Sequence, residues 1–465
     1  MLFSSLTFLF AFLPVVLGVY YILPMKAKNI WLLAASLFFY FYGEPKYLVL
    51  MISVIVTSFI FGILTDRAEG TARKILTVSS VIISLSALIF FKYTDFFIDS
   101  INSVFGSDIG LIKLALPIGI SFYTFQAISY NIDVYRKDVP AQKNIINLAL
   151  YISLFPQLVA GPIVRYSDIN NSMKSRTHSI EKFSYGVMRF VTGFAKKVLL
   201  ANSFGSLCET FRDTPEKSTL FFWIYALAYS LQVYFDFSGY SDMAIGLGSM
   251  FGFKFVENFR HPFVSSSVTE FWRRWHISLG SWFRDYVYIP MGGNRVSKPR
   301  FFLNILTVWF LTGFWHGADW TFIIWGLYFA ALLLIEKNIP QKIKEKTPRF
   351  VGHIYLIFVV LVGFVIFNAS GIDGALSDLK GMFTAAYPIC TSTTLYYLRS
   401  YALLLAVGIL GSTPIVKSAV NKLESTKAGA KIIAVLQPVV IIALLVAVTA
   451  YLIDGSYNPF LYFRF

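Results

Sequence analysis

The chain has 465 residues, 56% hydrophobic and 14% charged, with 40 Lys and Arg against 25 Asp and Glu. Soluble domains carry about 25% charged residues, so an ordinary soluble globular protein is excluded. Apolar windows of about 20 residues recur from end to end, which predicts an all-α polytopic membrane protein and not a β-barrel built from ~10-residue alternating segments.

The first residues, MLFSSLTFLFAFLPVVLGVYYIL, lack a basic leader and a small-residue cleavage site, so they read as a first span and not as a removed signal peptide. Spans or half-spans are expected near 4–23, 30–43, 47–64, 75–91, 115–136, 144–163, 186–200, 219–235, 238–253, 301–315, 320–335, 351–369, 400–416 and 432–452. That gives about 11–13 transmembrane or re-entrant helices once the poorest candidates are set aside. Residues 115–120 (ALPIGI) carry a Pro and a Gly and suit a broken helix buried in protein. Residues 238–253 hold Ser238, Gly239, Ser241, Asp242, Gly246 and Gly248, poor material for facing lipid.

Charge orders the loops. Lys26 and Lys28, then Arg67, Arg73 and Lys74, then the run Lys337, Lys342, Lys344, Lys346 and Arg349, and finally Lys417, Lys422, Lys427 and Lys431 read as cytoplasmic. Segments 92–110 and 371–398 read as external. The net charge of +15 is this asymmetry, and no nucleic-acid motif accompanies it, so no nucleic-acid partner is expected. Cys208 and Cys390 are too few and too far apart for a disulfide framework or a metal knuckle. A zinc-protease helix, a phosphate-binding P-loop, a dinucleotide fingerprint and a nucleophile elbow are all missing. No internal repeat is visible, which weakens a transporter built on inverted repeats. One integral membrane domain is expected over 1–465, with N-terminal spans to 110, a core over 111–335 and C-terminal spans from 336.

Two stretches carry chemistry. The first is FWRRWHISLGSWFRDYVYIPMGGNR, residues 271–295. Projected as one helix over 268–286, it places Phe271, Trp272, Trp275, Leu279, Trp282 and Phe283 on one face and Arg273, Arg274 and Arg284 away from it. Such a helix would lie in the membrane interface or pack against the bundle, rather than span. Its arginines either snorkel to headgroups or attract an anionic ligand, and His276 at the edge is either structural or functional. The second is FFLNILTVWFLTGFWHGADWTFIIWGLYFAALLL, starting at 301, too long for one untilted span. His316 and Asp319 are its ionisable residues, with Gly313 and Gly317 flanking the histidine. The run is either two half-helices meeting at GFWHGAD or two spans with a tight turn there. Either way an intramembrane histidine is a functional candidate. A neutral imidazole takes a proton from an attacking hydroxyl, or relays protons in a transporter. Gln126, Tyr130, Asn131, Asp133 and Gln157, each in apolar surroundings, point together to a polar cavity. Asp236, Tyr240, Asp242, Asn294 and Asp319 are candidates to line it.

These residues resemble the membrane-bound O-acyltransferase family, in its alginate O-acetyltransferase-like bacterial branch. The resemblance rests on SFYTFQAISYNIDVYR (121–136), LFPQLVAGPIVRYSD (154–168), YFDFSGYSDMAIGLG (234–248), the 271–295 stretch, GFWHGADW (313–320) and the closing NPFLYFRF (458–465). It implies a helical ring around a tunnel, with short interfacial helices. It implies that His316 is the catalytic histidine and His276 the second family histidine, and that Arg273, Arg274 and Arg284 guide an anionic donor. It also implies a multi-pass protein of the bacterial cell membrane with no bound cofactor. Acetyl-CoA or another acyl thioester would be the donor, and an exported polysaccharide with an extracytoplasmic acetyltransferase the partners. Two alternatives stay open: D-alanyl transfer to teichoic acid, and transport of a polysaccharide or acyl carrier.

Overall fold

A computed structural model describes residues 1, 3–159 and 161–454. The closing motif at 458–465 lies outside the described residues. Among those residues the chain is helical throughout, with no strand. Among the described residues, seven helices are long and apolar enough to cross a membrane: Leu48–Arg67, Gly70–Phe105, Thr219–Met250, Trp320–Asn338, Arg349–Phe367, Ser392–Gly411 and Lys427–Ile453. A shorter apolar stretch, Phe8–Ile22, precedes them. The protein is an all-α polytopic membrane protein.

The chain forms two compact units, Met1–Phe190 with Met243–Val256, and Val191–Asp242 with the chain from Glu257 onward. In the first, Leu48–Arg67, Gly70–Phe105 and Ile120–Arg136 pack side by side. Gly70–Phe105 has 36 residues. At 1.5 Å per residue it is about 54 Å long, well beyond a ~30 Å hydrocarbon core. Most of the 92–110 segment is therefore the end of this helix. The broken helix expected at ALPIGI is absent: residues 106–119 are non-helical, and Gly119, with a left-handed φ of 75°, stands immediately before Ile120–Arg136 begins. The 144–163 segment is broken, into Ile145–Ser153 and Phe155–Leu158. Phe3, Phe8, Phe39 and Phe155 form a buried aromatic knot with ring centroids 4.9–6.3 Å apart.

Two sequence expectations need correction. Residues 219–253 are not two spans. Thr219–Met250 is one continuous helix of 32 residues. Its Ser- and Gly-rich part stays helical because small residues admit close neighbours. A Cβ on Gly239 would lie 2.6 Å from the Gly193 carbonyl oxygen. Nor is 268–286 one amphipathic helix. It breaks into Val268–Arg274, Ile277–Phe283 and the π-helical turn Arg284–Tyr288. The break falls at His276, whose φ of 43° and ψ of 52° lie in the left-handed region that costs a non-glycine residue about 1 kcal/mol or more.

The apolar run from 301 forms two helices with a tight turn between them, of which Trp320–Asn338 is long and apolar enough to cross a membrane. Lys298–His316 and Trp320–Asn338, 19 residues each, pack along each other as a helical hairpin with a tight turn at 317–319. Glycine makes the close packing possible. A Cβ at Gly313 would meet the Phe322 carbonyl oxygen at 2.2 Å, and one at Gly326 the Trp309 oxygen at 2.3 Å. Each arm is about 28 Å long. One end of the hairpin is basic, with Lys298, Arg300 and Lys337, and the other holds His316 and Asp319.

Candidate active site

The hairpin and the broken 268–288 segment border an open cavity of about 490 Å³ within the second unit. Pockets of this size suit a small ligand or one arm of a larger one. Ile305, Val308, Trp309, Thr312 and His316 line it from one hairpin arm. Their spacing is that of a single helix face, so the wall extends about 16 Å from Ile305 to His316. Trp272, Arg273, His276, Leu279, Arg284 and Tyr288 face it from the broken segment. Both candidate histidines therefore border one space.

His316 ends its helix and is 7% exposed. Aromatic rings hold it edge-on: Trp315 at 5.0 Å, Trp325 at 5.1 Å and Phe367 at 5.3 Å between centroids. The same aromatic layer ties the short helix to the hairpin through Trp272, whose ring lies 4.7 Å from Trp309, 5.6 Å from Trp325 and 4.9 Å from Phe329.

His276 is 2% exposed. Its ring meets Phe237 at 4.5 Å and Trp315 at 6.0 Å, the latter adjoining His316. Burial, reinforced by the nearby His316, holds its pKa well below the usual histidine value, so it is neutral at physiological pH. His276 lies in a turn outside the seven long apolar helices. The backbone break at His276 is held by Asn258, a fully buried residue that sequence reasoning missed. The Ile277 N–H donates to the Asn258 main-chain oxygen at 3.0 Å. The Ser278 N–H and hydroxyl donate to Asn258 Oδ1 at 3.1 and 2.9 Å, and His276 Nδ1 lies 3.2 Å from the same oxygen. No periodicity marks an Asn in a loop as a partner of a histidine 18 residues on.

The three arginines separate. Arg273 is exposed, lines the cavity and makes no ion pair among the described residues. Arg284 also lines it but is bound to Asp285 at 2.6 Å. Arg274 does not line it. It pairs with Glu270 one turn earlier at 2.8 Å. The polar candidates lie elsewhere. Asp236 is paired with Lys197 at 2.7 Å, both side chains 2% exposed, and Asp242 with Lys196 at 2.7 Å. Tyr240 is buried and Asn294 is exposed. Asp319 caps the second hairpin arm, accepting from the Thr321 N–H and hydroxyl at 2.8 Å each. None of these five lines the histidine cavity.

A second residue missed in the sequence, Glu336, fixes the arginine-bearing wall. This buried carboxylate at the basic end of the hairpin accepts from the Val268 N–H at 2.6 Å, the Thr269 N–H at 3.0 Å and the Thr269 hydroxyl at 2.8 Å. It satisfies the free donors at the start of Val268–Arg274, the need that every helix N-terminus has. Glu336→Ala should lower stability by about 2–3 kcal/mol, the cost of buried donors left without an acceptor. Glu336→Gln, which keeps one acceptor oxygen, should lose less. Thermal unfolding of the two purified variants checks this.

The chain is an all-α polytopic membrane protein in which two histidines border one cavity. Comparison with known proteins specifies the family. The profile of MBOAT, the membrane-bound O-acyltransferase family, matches residues 138–377. The "Probable alginate O-acetylase AlgI" of Azotobacter vinelandii is 44% identical over 391 residues, 83% of this chain and 78% of the relative. The "Peptidoglycan O-acetyltransferase" of Helicobacter pylori is 36% identical, covering 82% of this chain and 80% of the relative. A "Teichoic acid D-alanyltransferase" of Streptococcus thermophilus is 29% identical over 56% of this chain and 69% of the relative. The chain belongs to the membrane-bound O-acyltransferase family, in its alginate O-acetyltransferase-like branch, and is an O-acyltransferase.

Proposed function

We propose that this O-acyltransferase moves an acetyl group from a cytoplasmic thioester to a hydroxyl on the other side of the bacterial cell membrane, with His316 as general base. The observation that carries this reading is that His316 and His276 line the same cavity as Arg273 and Arg284. The cavity wall runs from His316 back along the hairpin toward the end marked by Lys298, Arg300 and Lys337. By the excess of basic residues that end is cytoplasmic. The donor therefore enters from there, and its thioester carbonyl lies at His316.

In the reaction the acceptor hydroxyl oxygen attacks the thioester carbonyl carbon while His316 takes the hydroxyl proton. The tetrahedral intermediate collapses, the C–S bond breaks, and the thiolate leaves and recovers a proton. Thr312, Ile305 and Val308 along the wall suit a flexible pantetheine-type arm. A charged head group would stay near Arg273. The acceptor is an exported polysaccharide or the serine of an extracytoplasmic acetyltransferase that passes the group on. Acetyl is favoured over D-alanyl because the more similar relatives are named for O-acetylation.

Purified protein supplied with acetyl-CoA, an acetyl-loaded carrier protein or a D-alanyl-loaded carrier protein tests the donor. Consumption of an acetyl thioester is expected. Turnover confined to the D-alanyl carrier would replace acetyl in this reading. Arg273→Ala should raise KM for an anionic donor about 3- to 10-fold with little change in kcat, and the difference should shrink with added salt. An unchanged KM would assign Arg273 to lipid headgroups.

A further inference from the structure

Asn258 Oδ1 settles the proton on His276. A backbone N–H can only donate, so the atom of Asn258 that faces the Ser278 N–H at 3.1 Å is its oxygen and not its amide nitrogen. The amide nitrogen is used on the other side, donating to Ser241 Oγ at 3.2 Å. His276 Nδ1 lies 3.2 Å from that oxygen. Two lone-pair atoms would repel there, so Nδ1 carries a hydrogen and donates it. A neutral imidazole has one N–H, and the buried ring is kept neutral. Nε2 is therefore the lone-pair atom, and this buried atom has no hydrogen-bond partner among the described residues.

We propose that Asn258 is a positioning residue that locks His276 in the Nδ1–H tautomer, so that Nε2 serves the reaction as a hydrogen-bond acceptor and not as a donor. The inference rests on the acyl-transfer reading for its consequence and not for its geometry. It divides labour at the site. A neutral His276 with this tautomer has no N–H to offer a tetrahedral oxyanion. It can accept a hydrogen bond from a second O–H or N–H of the acceptor and hold it in place, while His316 takes the proton of the attacking hydroxyl. The left-handed backbone at His276 belongs to the same device. It turns the chain so that the His276 ring and the Ser278 N–H converge on one oxygen.

The test is the nitrogen spectrum of full-length protein in nanodiscs, labelled with 15N-histidine. The chain has five histidines, and a His276→Gln sample assigns the signal. The expected signature at neutral pH is a protonated, pyrrole-like Nδ1 and an unprotonated, pyridine-like Nε2. An Nε2–H signature in the wild-type protein overturns the proposal. This readout requires no turnover, so it stands or falls separately from the acyl-transfer reading. Kinetics supply the second arm. Asn258→Leu should lower kcat about 10- to 100-fold with the donor KM within about twofold, as expected for a misoriented catalytic imidazole. Asn258→Asp, which keeps an oxygen for both Ser278 and Nδ1, should restore most of it. A folded Asn258→Leu protein that loses activity while His276 keeps the wild-type signature would make Asn258 a structural residue only and refute the assignment.

Discussion

His316→Ala should abolish acetylation of the exported glycan in cells and lower acyl transfer by the purified protein about 10²- to 10⁴-fold, the contribution of a positioned general base. The effect should fall on kcat. His316 sits at one end of a cavity wall about 16 Å long, so a donor held nearer Ile305 would still bind. Truncation also leaves space among Trp315, Trp325 and Phe367. His316→Gln, closer in volume, therefore serves as the companion variant. Both should retain the wild-type elution profile in detergent. Mass spectrometry of the glycan reads the outcome, and full acetylation by either variant would remove His316 from the chemistry.

Asp236→Ala should be among the most destabilising single substitutions in the chain. Asp236 and Lys197 are each 2% exposed and 2.7 Å apart. Lys197 also donates to Asn202 Oδ1 at 2.8 Å. Deleting the carboxylate leaves a buried ammonium without this counter-charge, a change that typically costs about 3–5 kcal/mol. Removing both charges with apolar residues of similar volume is often neutral, so Lys197→Met with Asp236→Leu should recover most of the loss. The pair of variants also separates two roles. If Asp236 served the reaction, the double variant would fold and be inactive. The account expects it to fold and to acetylate. Thermal unfolding and activity of the single and double variants measure both.

Much of this was legible from the residues. His316 and Asp319 stood out as ionisable groups in a long apolar run, and the flanking Gly313 and Gly317 marked a break there, without deciding between two half-helices and two spans with a tight turn. The 271–295 stretch was recognisable as a site by its arginines and aromatics. Its conformation was not. A helical projection assumes a continuous backbone, and here loop residue Asn258 and hairpin residue Glu336 supply hydrogen bonds that make the break at His276 and start the helix at Val268. Such partners are distant in sequence and leave no period. The pairing of the acidic residues was hidden for a related reason. Asp236 and Asp242 read as cavity groups because the sequence did not reveal that Lys196 and Lys197, in another apolar segment, neutralise them. Asp319 read the same way, although an Asp two residues before a Thr at a helix start is an ordinary cap. The ion pairs depend on tertiary structure, whereas the cap was a local signal overlooked.

The central claim is that one chain takes an acyl group from a thioester on the basic, cytoplasmic end of the hairpin and delivers it across the membrane. The direct measurement uses proteoliposomes of defined orientation, with acetyl-labelled thioester on one side and a hydroxyl acceptor on the other. The account predicts labelled acceptor when the donor is on the side of Lys298, Arg300 and Lys337, and none in the reverse arrangement or with His316→Ala. Passage of donor or glycan across the bilayer without any acyl transfer would contradict it.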